Sequence, residues 1–220
     1  MAAERWLAAV WPVVHAALPD APARVIELGC GPLGGFVPML RAGGYDAIGV
    51  DPKAPDEAGY RRAEFEHAEL PAEADALVAS VSLHHVVDPA EVLDRVADTL
   101  GPGGTLVVVE WAWEDFDGPT AEWGFDRLGS EEGWLSRRRD EWRESGDPWS
   151  TYLQGWAGEH GLHSAQTLLC LLDERFERRR LSRGPYLFAD LGSTSHEDEQ
   201  HAIDAGEIRA LRVEYAGLKA

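Results

Sequence analysis

The sequence predicts an α/β protein: a doubly wound, mostly parallel sheet with helices on both faces and a helical insertion late in the chain. Three observations predict it. Between Arg24 and Glu110, short apolar runs alternate with helical patterns, as in parallel strands joined by crossover helices. A glycine-rich stretch, "ELGCGPLGG" from Glu27 to Gly35, follows the first of those runs and leads into a helix. Residues 111–161 then break the alternation with charged, helix-like runs that hold seven of the nine tryptophans, the composition of a cap and not of further sheet.

Each element follows from local chemistry. The N-terminal run "LAAVWPVVHAAL" reads as a helix lying on the domain, because Leu7, Val10, Val14 and Leu18 recur at helical spacing. It is not read as a signal peptide: Glu4 and Arg5 cancel, and Pro12 and His15 interrupt it. The strand candidates are "RVIEL", "DAIGVD", "YRRAEFE", "ADALVAS" and "TLVVVE", three of them nearly continuous in apolar residues, as strands covered on both faces require. The clearest helix is capped by Asp88, takes Pro89 at its first position and lines up Val92, Leu93, Val96 and Leu100, with Gly101 after its end. After the insertion the pattern predicts a helix "SAQTLLCLLDERF", a strand "ERRRLSRGPYLF", a short acidic helix near "SHEDEQHAIDAGE" and a last strand "ALRVEYAGL". The organisation expected is one domain over 1–220, with a ligand-binding core at 24–110, a helical cap at 111–161 and helices and strands at 162–220.

Composition narrows the partners. At 45% hydrophobic and 27% charged residues the chain is of globular type. Its net charge of −19 repels phosphate backbones, so small neutral or cationic ligands are expected and nucleic acid is not. Two isolated cysteines, Cys30 and Cys170, make no disulfide framework or metal motif. A reducing, cytoplasmic setting, no membrane partner and a monomer or homodimer are the matching expectations, and the Ala, Gly, Pro and Arg usage suits a bacterial source.

The glycine loop poses the central question. Gly29, Gly31 and Gly34 fit the spacing G-x-G-x-x-G of a dinucleotide site, which would make the chain an NAD-dependent oxidoreductase. Glu27 argues otherwise, because it stands at the strand end where a pyrophosphate would lie. Like charges at roughly 4 Å, with an effective dielectric near 20, repel by about 4 kcal/mol before screening. Pro32 also removes one N–H donor from the loop. A cationic ligand reverses that sign.

With Glu27 in front, the loop resembles the acidic-x-Gly-x-Gly loop of class I S-adenosylmethionine-dependent methyltransferases, and four further stretches are similar to that family in order. Asp51 ends "AIGVD", where the resemblance implies a carboxylate on both ribose hydroxyls. "EFEHAELP" looks like the family's third element, which implies Glu66 on the adenine amino group, with His67 where a small residue is usual. "ADALVASVSLHHVVDP" resembles the fourth strand and its exit, implying that Ser80, Leu83, His84 and His85 lie near the sulfonium. "LGPGGTLVVVE" matches the turn into strand five. The resemblance covers residues 24–110 and implies a Rossmann-like, seven-stranded, mostly parallel sheet with the last strand antiparallel beside the fifth. It implies S-adenosylmethionine as cofactor, held by Glu27, Gly29, Cys30, Gly31, Asp51, Pro52, Glu66 and Ser80. Leu33 departs from it, where many members have glycine.

Methyl transfer from a sulfonium is an in-line displacement in which alignment supplies much of the rate, so a catalytic base is optional. The candidates at the sheet exit are His84, His85 and Glu110, each weighed against a packing or hydrogen-bonding role. Trp111 and Trp113 follow strand five and are the candidate acceptor-pocket residues, with most other tryptophans expected to form a small core of their own. No metal is expected, since His160 and His163 read as a helix end. The Arg runs at 137–139 and 178–180 and the acidic patch "HEDEQ" read as solvated faces. The reading is methyl transfer to a small-molecule acceptor, against a non-catalytic cofactor-binding regulator and the NAD-dependent oxidoreductase.

Overall fold

The computed structural model describes residues 2–130 and 132–219. Seven strands form one sheet in the order β3-β2-β1-β4-β5-β7-β6. β1 (Arg24–Leu28), β2 (Asp46–Val50), β3 (Tyr60–Arg61), β4 (Ala74–Ser80) and β5 (Leu100–Trp111) run parallel. β7 (Arg212–Lys219) inserts antiparallel between β5 and β6 (Phe176–Gly184). The antiparallel last strand beside the fifth is thus observed as expected.

Period-two alternation makes the central strands two-faced. Ile26, Leu77, Leu106 and Val108 pack to one side under α3 (Pro89–Thr99) and α7 (Ala165–Asp173), where Val92, Leu93, Val96 and Leu168 are buried. Val25, Val78, Val107 and Val109 face the other side, against Val10 and Val14 of α1 (Ala2–Ala17) and Val37 and Leu40 of α2 (Val37–Ala42). α1 therefore lies on the sheet through the stripe read from its sequence. Asp88 caps α3 as expected, its carboxylate accepting from Ala90 N and Glu91 N at 2.9 and 3.1 Å.

The insertion folds as α4 (Gly118–Phe125), α5 (Trp134–Ser145) and α6 (Trp149–Glu159) around a third apolar cluster of Trp111, Phe116, Phe125, Leu135, Trp149 and Leu153. α8 (His196–Asp204) precedes β7.

Two elements differ from expectation. "YRRAEFE" yields only the two-residue β3 followed by a 3-10 turn at Phe65–His67, because Phe65 turns inward to the core and ends the extended run. The strand predicted through "GPYLF" stops at Gly184, and Leu187–Ala189 is a 3-10 turn, since Pro185 offers no N–H to the ladder. β6 is an edge strand, and Arg178, Arg179 and Arg180 with a register shift between 178 and 180 discourage pairing by another chain. No helix among the described residues is long and apolar enough to cross a membrane.

Candidate active site

The carboxyl ends of the parallel strands share one edge, and the glycine loop divides it into two cavities that meet at Gly29 and Val81. The first, of about 350 Å³, is lined by Asp51, Pro52, Phe65, Glu66, Leu83 and His85. The second, of about 380 Å³, is lined by Trp6, Glu27, Gly31, Ser80, Tyr186 and Asp190 among others.

The loop is shaped by its glycines. Gly29 has φ +75°, donates to Val50 O at 2.8 Å, and a Cβ there would collide with Ser82. Gly31 has φ +62°, and a Cβ built on it meets nothing within 4 Å, so backbone is exposed to the second cavity. Val81 also adopts a positive φ, +52°, a strained conformation for a β-branched residue, at the point where the cavities join. No sequence motif marks that strain.

Glu27 is fully buried at the end of β1. Its Oε2 accepts from Phe36 N at 2.8 Å and Val37 N at 3.1 Å, the first N–H groups of α2. Oε1 has no protein donor among the described residues. Burial pushes its pKa up to about 8 despite the two backbone hydrogen bonds, and Asp51 adds to the rise. Asp51 is held between Gly31 N (3.1 Å, to Oδ2) and Lys53 N (2.6 Å, to Oδ1). Ser80 accepts from Trp6 Nε1 at 3.4 Å. The Cys30 side chain lies against Gly49, and burial pushes its thiol up to about 12, so its contribution to the edge is a neutral one.

The base candidates sit deeper. Glu110 is buried, and Oε1 accepts from Ser82 N and Leu83 N at 2.8 and 2.7 Å, while Oε2 accepts from Trp111 N at 3.0 Å. His84 Nδ1 lies 2.6 Å from Oε2, and both side chains are 2% exposed. Burial alone would raise the Glu110 carboxyl, but His84 and the backbone donors hold it below its usual value. Neither residue lines a cavity wall, whereas His85 lines the first. The His85 side chain counts as exposed by area, yet one ring face packs 4.0 Å from His84, and this desolvation with the His84 charge lowers its pKa.

Trp111 is buried in the third cluster, stacked 5.7 Å from Tyr186, and Trp113 Nε1 donates to His163 O at 3.2 Å. Neither lines either cavity. Trp6 does, from α1. Two solvated-face readings need correction: Glu199 in "HEDEQ" is completely buried, and Arg138 is 8% exposed with its guanidinium 4.7 Å over Trp156. Long-range partners, invisible to local spacing, draw both inward.

These donors fit S-adenosylmethionine better than a dinucleotide. The second cavity has two carboxyl groups, Glu27 and Asp190, and no lysine or arginine in its wall, so an anion finds no countercharge there, and Asp51 and Glu66 share the first cavity as a nucleoside requires.

Residues 3–175 match a family model described as a methyltransferase domain. No curated protein matches the chain. Among solved structures, an S-adenosylmethionine-dependent methyltransferase from Mesorhizobium loti is 20% identical, with 96% of this chain and 98% of that one covered and a TM-score of 0.57. Geranyl diphosphate C-methyltransferase from Streptomyces coelicolor, in complex with Mg2+, geranyl diphosphate and S-adenosyl-L-homocysteine, is 15% identical (97% and 79% covered, TM-score 0.58). N-methyltransferase NodS from Bradyrhizobium japonicum, in complex with S-adenosyl-L-homocysteine, is 12% identical (96% and 86% covered, TM-score 0.55). At these identities the likeness speaks for a shared fold.

Proposed function

The chain belongs to the class I S-adenosylmethionine-dependent methyltransferases, and from that premise we propose that it methylates a small-molecule acceptor bound in the second cavity. The observation that carries this reading is the cavity itself. Its volume of about 380 Å³ falls in the range of small-molecule sites, and it opens on the Glu27 side of the glycine loop. The net charge of −19 weighs against a nucleic-acid acceptor.

The residue roles follow from the donors present. Asp51 and Glu66, with Pro52 beside them, would hold the nucleoside part in the first cavity. Gly29 and Gly31 would let the backbone approach the ligand, and Glu27 with Ser80 would face the charged amino-acid part. When bound, the donor supplies an electrophilic methyl carbon: the acceptor's lone pair forms the new bond, the carbon–sulfur bond breaks, and its electron pair stays on sulfur. The protein's share is alignment and exclusion of water. Glu110 and His84 act as a clamp on the Ser82–His85 turn, because the Glu110 oxygens are already engaged by three backbone donors and the imidazole. We read the whole chain as one methyltransferase domain, in which α1 and the turn at Tyr186–Asp190, and none of the described residues of 111–161, wall the acceptor cavity.

The test is incubation with isotope-labelled S-adenosylmethionine and separate metabolite, protein and RNA fractions of the source. Label is expected in a metabolite product. Label confined to protein or RNA would overturn the small-molecule reading.

A further inference from the structure

The far wall of the second cavity is a turn that no cofactor motif explains. Tyr186, Ala189 and Asp190 line it, on the 3-10 turn after β6. The turn is built with care: Glu199, buried in α8, accepts from Tyr186 N at 2.7 Å, Leu187 N at 3.0 Å and Phe188 N at 2.6 Å. Glu199 is thus a positioning residue for this wall. The Tyr186 ring is fixed by Trp111, stacked at 5.7 Å with 10° between planes, and by Trp6, edge-on at 5.2 Å.

Two polar groups of this wall have no hydrogen-bond partner among the described residues, the Tyr186 hydroxyl and the Asp190 carboxylate. Burial raises both above their usual pKa, so the phenol stays a proton donor and the carboxylate is a readier proton acceptor than one in water. Two cations bear on Asp190, Arg137 and Arg5, and neither makes an ion pair with it within 4 Å among the described residues. The Arg5 guanidinium is engaged by Leu191 O and Thr194 O, both at 2.6 Å. The cavity wall itself contributes Glu27, Asp190, aromatic faces and no lysine or arginine.

We propose that the methyl acceptor is an amine, entering as its ammonium ion and held by the Asp190 carboxylate and the Tyr186 and Trp6 rings. Carboxylate and aromatic side chains together are a cation site, and an anionic acceptor would meet the Asp190 carboxylate with no lysine or arginine in the wall. Asp190 then takes the ammonium proton and passes it to water, which frees the nitrogen lone pair that forms the new bond. This inference rests on the reading of the second cavity as the acceptor side.

The experiment is calorimetric titration of the whole chain, saturated with S-adenosylhomocysteine, with phenethylamine, phenylethanol and phenylacetate, three probes of similar shape and different charge. The amine is expected to bind at least tenfold more tightly than the alcohol, with no binding of the acid. Asp190→Asn is expected to lower amine affinity at least tenfold while S-adenosylhomocysteine affinity stays within twofold, which also reports that the variant is folded. Tyr186→Leu, which removes both ring and hydroxyl, is expected to weaken the amine and not the alcohol. Absence of amine binding to the saturated protein, binding of phenylacetate as tight as the amine, or unchanged amine affinity in Asp190→Asn overturns the proposal. Failure of S-adenosylhomocysteine to bind at all would instead overturn the cofactor reading beneath it.

Discussion

The role proposed for Glu27 couples cofactor binding to a proton. With its pKa pushed up to about 8, its carboxyl is mostly protonated at pH 7 in the free protein. A ligand ammonium that needs the carboxylate must first remove that proton, at a cost on the order of 1 kcal/mol at pH 7 that grows as pH falls. Affinity for S-adenosylhomocysteine should therefore rise about tenfold between pH 6 and pH 7, with close to one proton released per ligand over that range. Calorimetry in buffers of different ionisation enthalpy measures both, kept below pH 7.5 so that the ligand ammonium does not titrate. Glu27→Gln should bind weakly and without pH dependence. Equal, pH-flat affinity in both proteins with no proton release would refute the reasoning. The same shift acts on stability with a definite sign. The folded-state pKa lies above the ordinary carboxylate value, so the contribution is present at low pH and is lost as pH climbs from about 4.5 through about 8, with about 5 kcal/mol as its ceiling.

Three further outcomes are expected. Glu199→Ala leaves three buried backbone N–H groups without acceptors, at roughly 1–3 kcal/mol each. Thermal unfolding should fall by about 6–36 °C, and amine-probe binding should be lost in the folded fraction. Glu110→Gln sets an amide NH2 against N–H donors beside buried His84, so about 3–5 kcal/mol should be lost in denaturant unfolding, and because the Ser82–His85 turn lines the first cavity the S-adenosylhomocysteine affinity of the folded protein should weaken as well. Because the Glu110 pKa is lowered, the stability it lends is full at neutral pH and lost as pH falls below about 4.5 through its folded-state value. Asp51→Ala should weaken S-adenosylhomocysteine at least tenfold, about 1.4 kcal/mol, in the same calorimeter, while the melting temperature of the unliganded protein moves by only a few degrees.

Much of the fold was legible because its signals are local. Asp88 and Pro89 announce α3, and continuous apolar runs announce strands covered on both faces. The sheet edges were less so: β3 is two residues long and carries little apolar signal, so the position of Glu66 on a strand end was an overreach. Of the candidate site residues, Glu27, Gly29, Gly31, Asp51 and Ser80 lie on a loop and three strand ends, and the structure brings them to one sheet edge. Tyr186 and Asp190 were not legible in the sequence. Their turn depends on Glu199, and nothing in an acidic helix tells which carboxylate will be drawn in by three donors more than ten residues away. Trp6 escaped notice for a related reason, since a tryptophan on an amphipathic helix reads as core until the cavity beside it is seen.

The position of β7 in the sheet bears on how the protein is made. It is the last strand of the chain, yet it lies between β5 and β6, so the ladder edge of β5 stays open from Trp111 until Arg212 is synthesised. At about 5–20 residues per second that is roughly 5–20 s on the ribosome. During that interval two strands wait for one partner, while the turn bearing Tyr186 and Asp190 is already held by Glu199 of α8, which is made before β7. The parallel strands can pair early; the sheet is completed only when β7 pairs between β5 and β6. A nascent chain stalled before Arg212 would expose two open ladder edges and so be a target for chaperones and proteases, not a partly active enzyme.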